Sequence, residues 1–221
     1  MNPTRIRTAL LPLLLAGLLP LAGLAAEPAK GPIQRELSAE LAEARREVRA
    51  ELASARAELE TENLDVGNSL RLGKAGNAAG EALPNAEITP RGDFLIEGKA
   101  VAIDAGQRKQ LLAYRGHVID IARAGIDIGE RSAQIAIDAV ARGLFSLIVG
   151  ALTGSLEHKL EKTIKATVEP GVLQICRSLP SLLDSQQRLA ASLPQFRPYA
   201  TLEADDVADC ENEVRNEFAR R

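Results

Sequence analysis

The chain has 221 residues, 46% of them hydrophobic but only 3% aromatic, with no tryptophan and a formal net charge of −3. That length supports one domain of ordinary size with an appendage. A core short of aromatic side chains must be built from Leu, Ile, Val and Ala, which suits packed helices, and the lack of a basic excess argues against nucleic acid as a partner.

Arg5 and Arg7 give a positive start, and ALLPLLLAGLLPLAGLAA follows without a charge. Pro20 interrupts this apolar run near its end. Gly23 and Ala25 then set small residues two apart, the pattern a signal peptidase reads. We read residues 1–25 as a signal peptide cleaved after Ala25 or Ala26. The competing reading is an uncleaved anchor, since Thr8 to Ala26 nearly suffices to cross a bilayer. No cysteine follows the site and no twin-arginine pair is present, so a lipid anchor is not expected. No later segment is long and apolar enough to span. The sequence therefore predicts an exported, periplasmic protein with no stable membrane insertion once the leader is removed.

Residues 33–62 read as a long amphipathic helical arm. Leu37, Leu41, Ala44, Val48, Leu52, Ala55 and Leu59 recur at intervals of four and three, an average of about 3.67 residues. Glu36, Glu40, Glu43, Glu47, Glu51, Glu58 and Glu62 form an acidic row along one side of this stripe, and Arg45, Arg49 and Arg56 fall on the other. In a parallel pairing of two such helices, acid meets base; in an antiparallel one, acid meets acid. If the arm pairs with its own copy, a parallel homodimer is expected. The plainer alternative packs the stripe on the protein's own body. Leu37, Leu41, Val48, Leu52 and Leu59 are the candidate partner contacts.

Residues 63–103 read as a small β-meander with a Gly- and Ala-rich loop. Leu64 and Val66 alternate, Gly67-Asn68 offers a turn, and Leu70 and Leu72 alternate again. After the loop, Ile88 precedes a turn at Pro90-Arg91-Gly92-Asp93. Phe94 and Ile96 share a face, Gly98-Lys99 turns, and Val101 and Ile103 close a hairpin. Arg91-Gly92-Asp93 matches an adhesion tripeptide, but turn geometry alone accounts for Gly and Asp there. The hairpin is expected to be scaffold that launches the next helix.

Residues 104–221 read as a helical bundle. Asp104 and Gln107 match a capping box. The helix they open carries Leu111, Tyr114, Val118, Ile121 and Ala122 on one face and is expected to end or kink at Gly125. A second helix, Asp127 to Leu152, is apolar almost all round and is expected to be buried, with Gly129, Ala133, Ala136 and Gly143 admitting close neighbours. Asp138 and Arg142 stand at i and i+4, in reach of each other. A third helix from Ser155 is expected to break or kink at Pro170-Gly171 and bend at Pro180. Thr201 is expected to cap the last helix, with Glu203, Asp205 and Asp206 in its first turn.

Export gives meaning to Cys176 and Cys210, the only cysteines. In an oxidising compartment such a pair is most simply a disulfide. A metal site would need two more ligands, and neither histidine lies near either cysteine in sequence. The expected bond ties the C-terminal helix to the helix holding Cys176.

ITPRGDFLIEGKAVAIDAGQRKQLLAYR, ICRSLPSLL and LAASLPQFRPYATLEADDVADC together resemble the YggN-like family of exported proteins of Gram-negative bacteria, a domain of unknown function. The resemblance spans roughly Leu83 to Glu211. It implies a periplasmic address and the Cys176–Cys210 pairing, and no activity. Pro170-Gly171 departs from the uninterrupted helix of that family.

His117 and His158 stand on charged helix faces without the compact ligand set that a metal requires. No nucleophile elbow, Cys–His pair or phosphate loop appears. The sequence is read as non-enzymatic, with no metal and no cofactor. It is read as a mainly α protein with a small antiparallel meander, contacting itself or a protein partner through the arm. Two alternatives remain: a binding module holding an apolar ligand or unfolded client among loosely packed helices, and a membrane-surface protein using Asp127 to Leu152.

Overall fold

The capping box at Asp104 is formed. The Asp104 amide donates to the Gln107 side-chain oxygen at 2.9 Å, and the Gln107 amide donates to the Asp104 carboxylate at 2.8 Å. The computed structural model in which this is seen describes residues 32–66, 83–149 and 155–219. The leader and the Gly67-Asn68 turn with Leu70 and Leu72 lie outside the described residues.

The described residues form four helices and four short strands: α1 (Pro32–Thr61), β1 (Leu64–Asp65), β2 (Ala86–Ile88), β3 (Phe94–Ile96), β4 (Lys99–Ala100), α2 (Ala105–Val149), α3 (Ser155–Ser192) and α4 (Ala204–Ala219), with a 3-10 segment at Pro194–Tyr199. The mainly helical fold with a small antiparallel sheet is as expected. The sheet runs β1-β2-β3-β4, antiparallel throughout, with Leu64 opposite Ile88, Ile88 opposite Phe94, and Ile96 opposite Lys99. The β3–β4 turn is Glu97-Gly98, one residue earlier than the sequence reading. Both residues have positive φ, 49° and 70°, as a two-residue turn matching strand twist requires. Glu97 tolerates this because Asn85 clasps it: the Asn85 amide donates to its carboxylate at 2.5 Å, and its own amide donates to the Asn85 carbonyl at 2.7 Å.

The Arg91-Gly92-Asp93 turn is also internal structure. Arg108 of α2 donates to the Asp93 carboxylate at 2.6 Å and to the Arg91 carbonyl at 3.0 Å. The Arg108 guanidinium holds the Asp93 carboxyl below the ordinary carboxylate value. Gly92 sits at φ 77°, and a Cβ there would come within 2.7 Å of Leu112. Only glycine fits this turn against α2 without strain.

The sheet closes over a core in which Phe94, Tyr114, Phe196 and Tyr199 meet. Phe94 and Tyr114 each stand edge-on to Phe196, at 5.8 and 5.2 Å between ring centres, and Phe94 stands edge-on to Tyr199 at 6.0 Å. Such pairs add about 1 kcal/mol each beyond the area they bury. Val66, Ile88, Leu111, Leu182, Leu189 and Leu193 complete this core. Few aromatics exist in the chain, yet four of them gather here.

Polar clasps close the same core. Gln186, itself buried, donates to the Leu202 carbonyl at 2.8 Å and accepts from the Leu202 amide at 3.2 Å. Tyr199 donates to the Pro84 carbonyl at 3.1 Å. The Cys176–Cys210 bond is present, with Cα atoms 5.6 Å apart, and fastens α4 to α3. The start of α4 differs from expectation. The helix begins at Ala204, and the Glu203 amide donates to the Asp206 carboxylate at 2.9 Å, so Glu203 occupies the cap position expected for Thr201.

Neither helix ends at the position where an end or a kink was expected. α2 runs unbroken for 45 residues through Gly125, and α3 for 38 residues through Pro170 and Pro180. Pro170-Gly171 marks a close crossing instead. A Cβ on Gly171 would lie 2.5 Å from the Ile128 side chain of α2, so glycine lets the two helices approach there. At Gly129, where close approach was expected, a Cβ would meet nothing within 4 Å. The expected burial of Asp127 to Leu152 is not met over Asp127 to Ala141, and the side chains of 142–152 lie outside the described residues. From Asp120 to Ala141 no residue of α2 is fully buried, and Val140 is 51% exposed. This half of α2 has α1 and α3 as its principal packing partners among the described residues.

Candidate functional site on the first helix

The apolar stripe of α1 faces α2. Leu37, Leu41, Ala44, Val48, Leu52, Ala55 and Leu59 are each half-buried, while their neighbours in sequence are mostly exposed. A helix resting on a single partner covers only part of its apolar face, and α1 packs principally on α2. The candidate contacts Leu37, Leu41, Val48, Leu52 and Leu59 therefore lie on one face, as the periodicity requires, and that face is partly covered by the protein itself.

Charge fixes the direction of the pairing. Arg45 meets Asp138, Arg56 meets Asp127 at 2.6 Å and Glu130 at 2.8 Å, and Glu60 meets Arg123. Partners on α2 descend as those on α1 ascend, so the helices run antiparallel. The Glu130 and Asp127 carboxylates raise the Arg56 pKa above its ordinary value. Asp138 thus pairs across to α1, whereas Arg142, its expected partner, has a side chain outside those described. The basic flank that a parallel homodimer would present to an acidic row is turned to α2, with Arg45 and Arg56 in ion pairs.

The opposite flank faces outward. Glu36, Glu40, Glu43, Glu47, Glu51, Glu58 and Glu62 are all exposed. Among the described residues no ion pair engages any of the seven; Glu58 accepts from the Ser54 hydroxyl at 3.0 Å.

Arg115 anchors the C-terminal end of α1. Only 5% exposed, it donates to the carbonyls of Leu59, Glu60 and Glu62 at 2.8, 3.1 and 2.9 Å. These carbonyls have no partner within the helix, and a cation also opposes the negative end of the helix dipole. Burial pulls the Arg115 pKa below the ordinary arginine value, and the Glu60 charge acts against that. Sequence reasoning missed this residue. A signal was there: Arg115 is a cation next to the face carrying Leu111, Tyr114 and Val118 at buried positions. Gln186 was missed too, because its partner is a backbone reached only after the chain reverses.

Beside Arg115 opens a cleft of about 300 Å³, lined by Ala55, Glu58, Leu59, Glu62, Asn63, Leu64, Arg115 and Ile126. It joins two features of α1. Ala55 and Leu59 belong to the apolar stripe, and Glu58 and Glu62 to the acidic row.

Among the described residues no group of three or more His, Cys, Asp or Glu gathers as a metal site, and His117 is half-buried on α2. Among the same residues no helix is long and apolar enough to cross a membrane. Comparison with known protein families, curated proteins and solved structures returns no match.

Proposed function

We propose that this chain is a non-enzymatic structural or interaction protein of the periplasm, exported by its cleaved leader, and that it contacts a protein partner through α1. One observation carries the reading: the apolar stripe of α1 is long and regular, yet half-covered along its whole length. A stripe kept only for intramolecular packing is commonly closed by a second helix. Apolar surface left in contact with water is stabilised by any partner that covers it, at about 25 cal/mol per Å².

The reading draws its address from the leader pattern, from the disulfide, which persists in oxidising compartments, and from the resemblance to the YggN-like family. Pairing with a second copy of the same helix remains within it. Such a dimer would compete with the Arg45 and Arg56 ion pairs to α2, so a different partner is favoured.

Photo-crosslinking from Leu41 and Leu52 in cells tests the proposal. A discrete adduct should form at both positions and disappear when Val48 is changed to Glu with helix content retained. Absence of any adduct from either position, in protein shown to be folded and exported, would overturn the reading. A second reading, an apolar ligand held among loosely packed helices, draws on the incomplete burial of Asp120 to Ala141. Displacement of an apolar dye by fatty acids at micromolar concentration would favour it.

A further inference from the structure

The proposed partner surface has a chemistry of its own, and the inference drawn from it rests on the reading just given. The apolar stripe of α1 has unlike borders. On one side the cations Arg45 and Arg56 meet Asp127, Glu130 and Asp138 and are taken up by α2. On the other side stand seven exposed glutamates, from Glu36 to Glu62, a distance of about 39 Å along the helix. The open edge of the stripe is therefore the acidic edge.

At the cleft near Arg115 the apolar stripe and its acidic border meet. Its apolar lining comes from Ala55, Leu59, Leu64 and Ile126, and its carboxylates are Glu58 and Glu62. Its one cation, Arg115, is engaged with three carbonyls. The C-terminal end of α1 lies here, its last carbonyls capped by Arg115, so the carboxylates of Glu58 and Glu62 are what make the cleft acidic. A side chain with an apolar stem and a cationic head matches this lining: the stem lies along Leu59 and Ile126 and the head reaches Glu58 and Glu62.

We propose that the cleft and the acidic edge of α1 form one docking groove for a basic amphipathic segment of a protein partner, with a Lys or Arg of that segment seated in the cleft. The apolar face of the segment covers the open part of the stripe. Its basic flank lies against the glutamate row, where opposite charges steer the encounter and set the register. A second copy of α1 fits this groove poorly, because two of its three flanking cations, Arg45 and Arg56, are paired with α2.

Fluorescence anisotropy on the mature chain tests this with two labelled helical peptides, one with a leucine face and a lysine face, the other with glutamate in place of lysine. The lysine peptide should bind, and its affinity should fall as salt rises; the glutamate peptide should bind at least about tenfold more weakly. Glu58→Lys with Glu62→Lys should weaken the lysine peptide by about tenfold or more, while Glu217→Lys on α4 should change it by no more than about twofold. Equal binding of both peptides, no binding of the lysine peptide, or equal loss in the Glu217 variant would overturn the inference. The two proposals fail separately. Crosslinks from Leu41 and Leu52 without peptide binding would leave the partner reading standing and remove only its basic class.

Discussion

The two ends of α2 are built differently. Its first turns, to Ile119, lie under the sheet and against α3 from Cys176 onward, with Leu111, Tyr114, Val118 and Ile119 all buried. Its later turns, from Asp120, have the same helical backbone and a richer apolar composition, yet none of the described residues there is fully buried. Burial follows the number of layers around a helix, not its hydrophobicity. In the head, the sheet, α3 and the 3-10 segment pack on α2, with α4 behind α3; in the stalk, α1 and α3 are its principal described neighbours.

The contrast predicts where the chain breaks. Phe196→Ala in the head should cost about 3–5 kcal/mol, because it opens a cavity among Phe94, Tyr114 and Tyr199. Leu41→Ala in the stalk should cost about 1 kcal/mol, since the side chain is already half in water. Denaturant midpoints of the two variants check this, and equal losses would erase the distinction between head and stalk.

The disulfide ranks next. It closes a loop of 34 residues in sequence separation, and its removal by Cys176→Ser with Cys210→Ser should lower stability by about 3–4 kcal/mol in the chain-entropy picture. Hydrogen exchange should rise first in α4, which the bond fastens to α3. Faster exchange in α1 before α4 would show that the bond acts elsewhere.

Arg115→Met separates arm from body more finely. The change leaves the carbonyls of Leu59, Glu60 and Glu62 without their donor and should cost about 2 kcal/mol. Exchange protection should fall along α1 and stay unchanged at Phe94 and Leu182. Added salt should act in the same place, because the α1–α2 ion pairs are exposed and screened while the aromatic cluster is not.

The smallest effect concerns acid. The folded chain holds Asp93 below its ordinary pKa through Arg108, so ionisation of Asp93 is more favourable folded than unfolded. The associated stability is present above about pH 4 and is lost as the pH falls through the lower, folded value. Asp93→Asn should flatten the acid side of the stability curve slightly, read from thermal midpoints across that range. An unchanged curve would show that the clasp contributes no ionic stabilisation.

Much of this architecture was legible as local pattern. The intervals of the α1 stripe, the Asp104/Gln107 capping box and the alternation of Phe94 and Ile96 each depend on residues within a few positions of one another. The sorting of Glu and Arg to opposite sides of α1 was legible as well. The misreadings have a shared physical cause. Gly125 and Pro170-Gly171 carry weak helix propensity, but both lie in helices packed on each other, and tertiary packing overrides propensity. Likewise Glu97-Gly98 turns one residue early because Asn85 holds Glu97.

By itself, then, the sequence determined the mainly helical class with its small sheet, which face of α1 is apolar, and which two sulfurs can join, since all of these follow from short-range periodicity and the count of cysteines. Only the tertiary structure decided that α1 runs antiparallel to α2, that its basic side is consumed there and its acidic side left open, and that Arg115 closes the end of the arm. Those outcomes depend on groups brought together from 53 to 93 positions apart, and no local pattern encodes which of several oppositely charged partners a long-range contact will select.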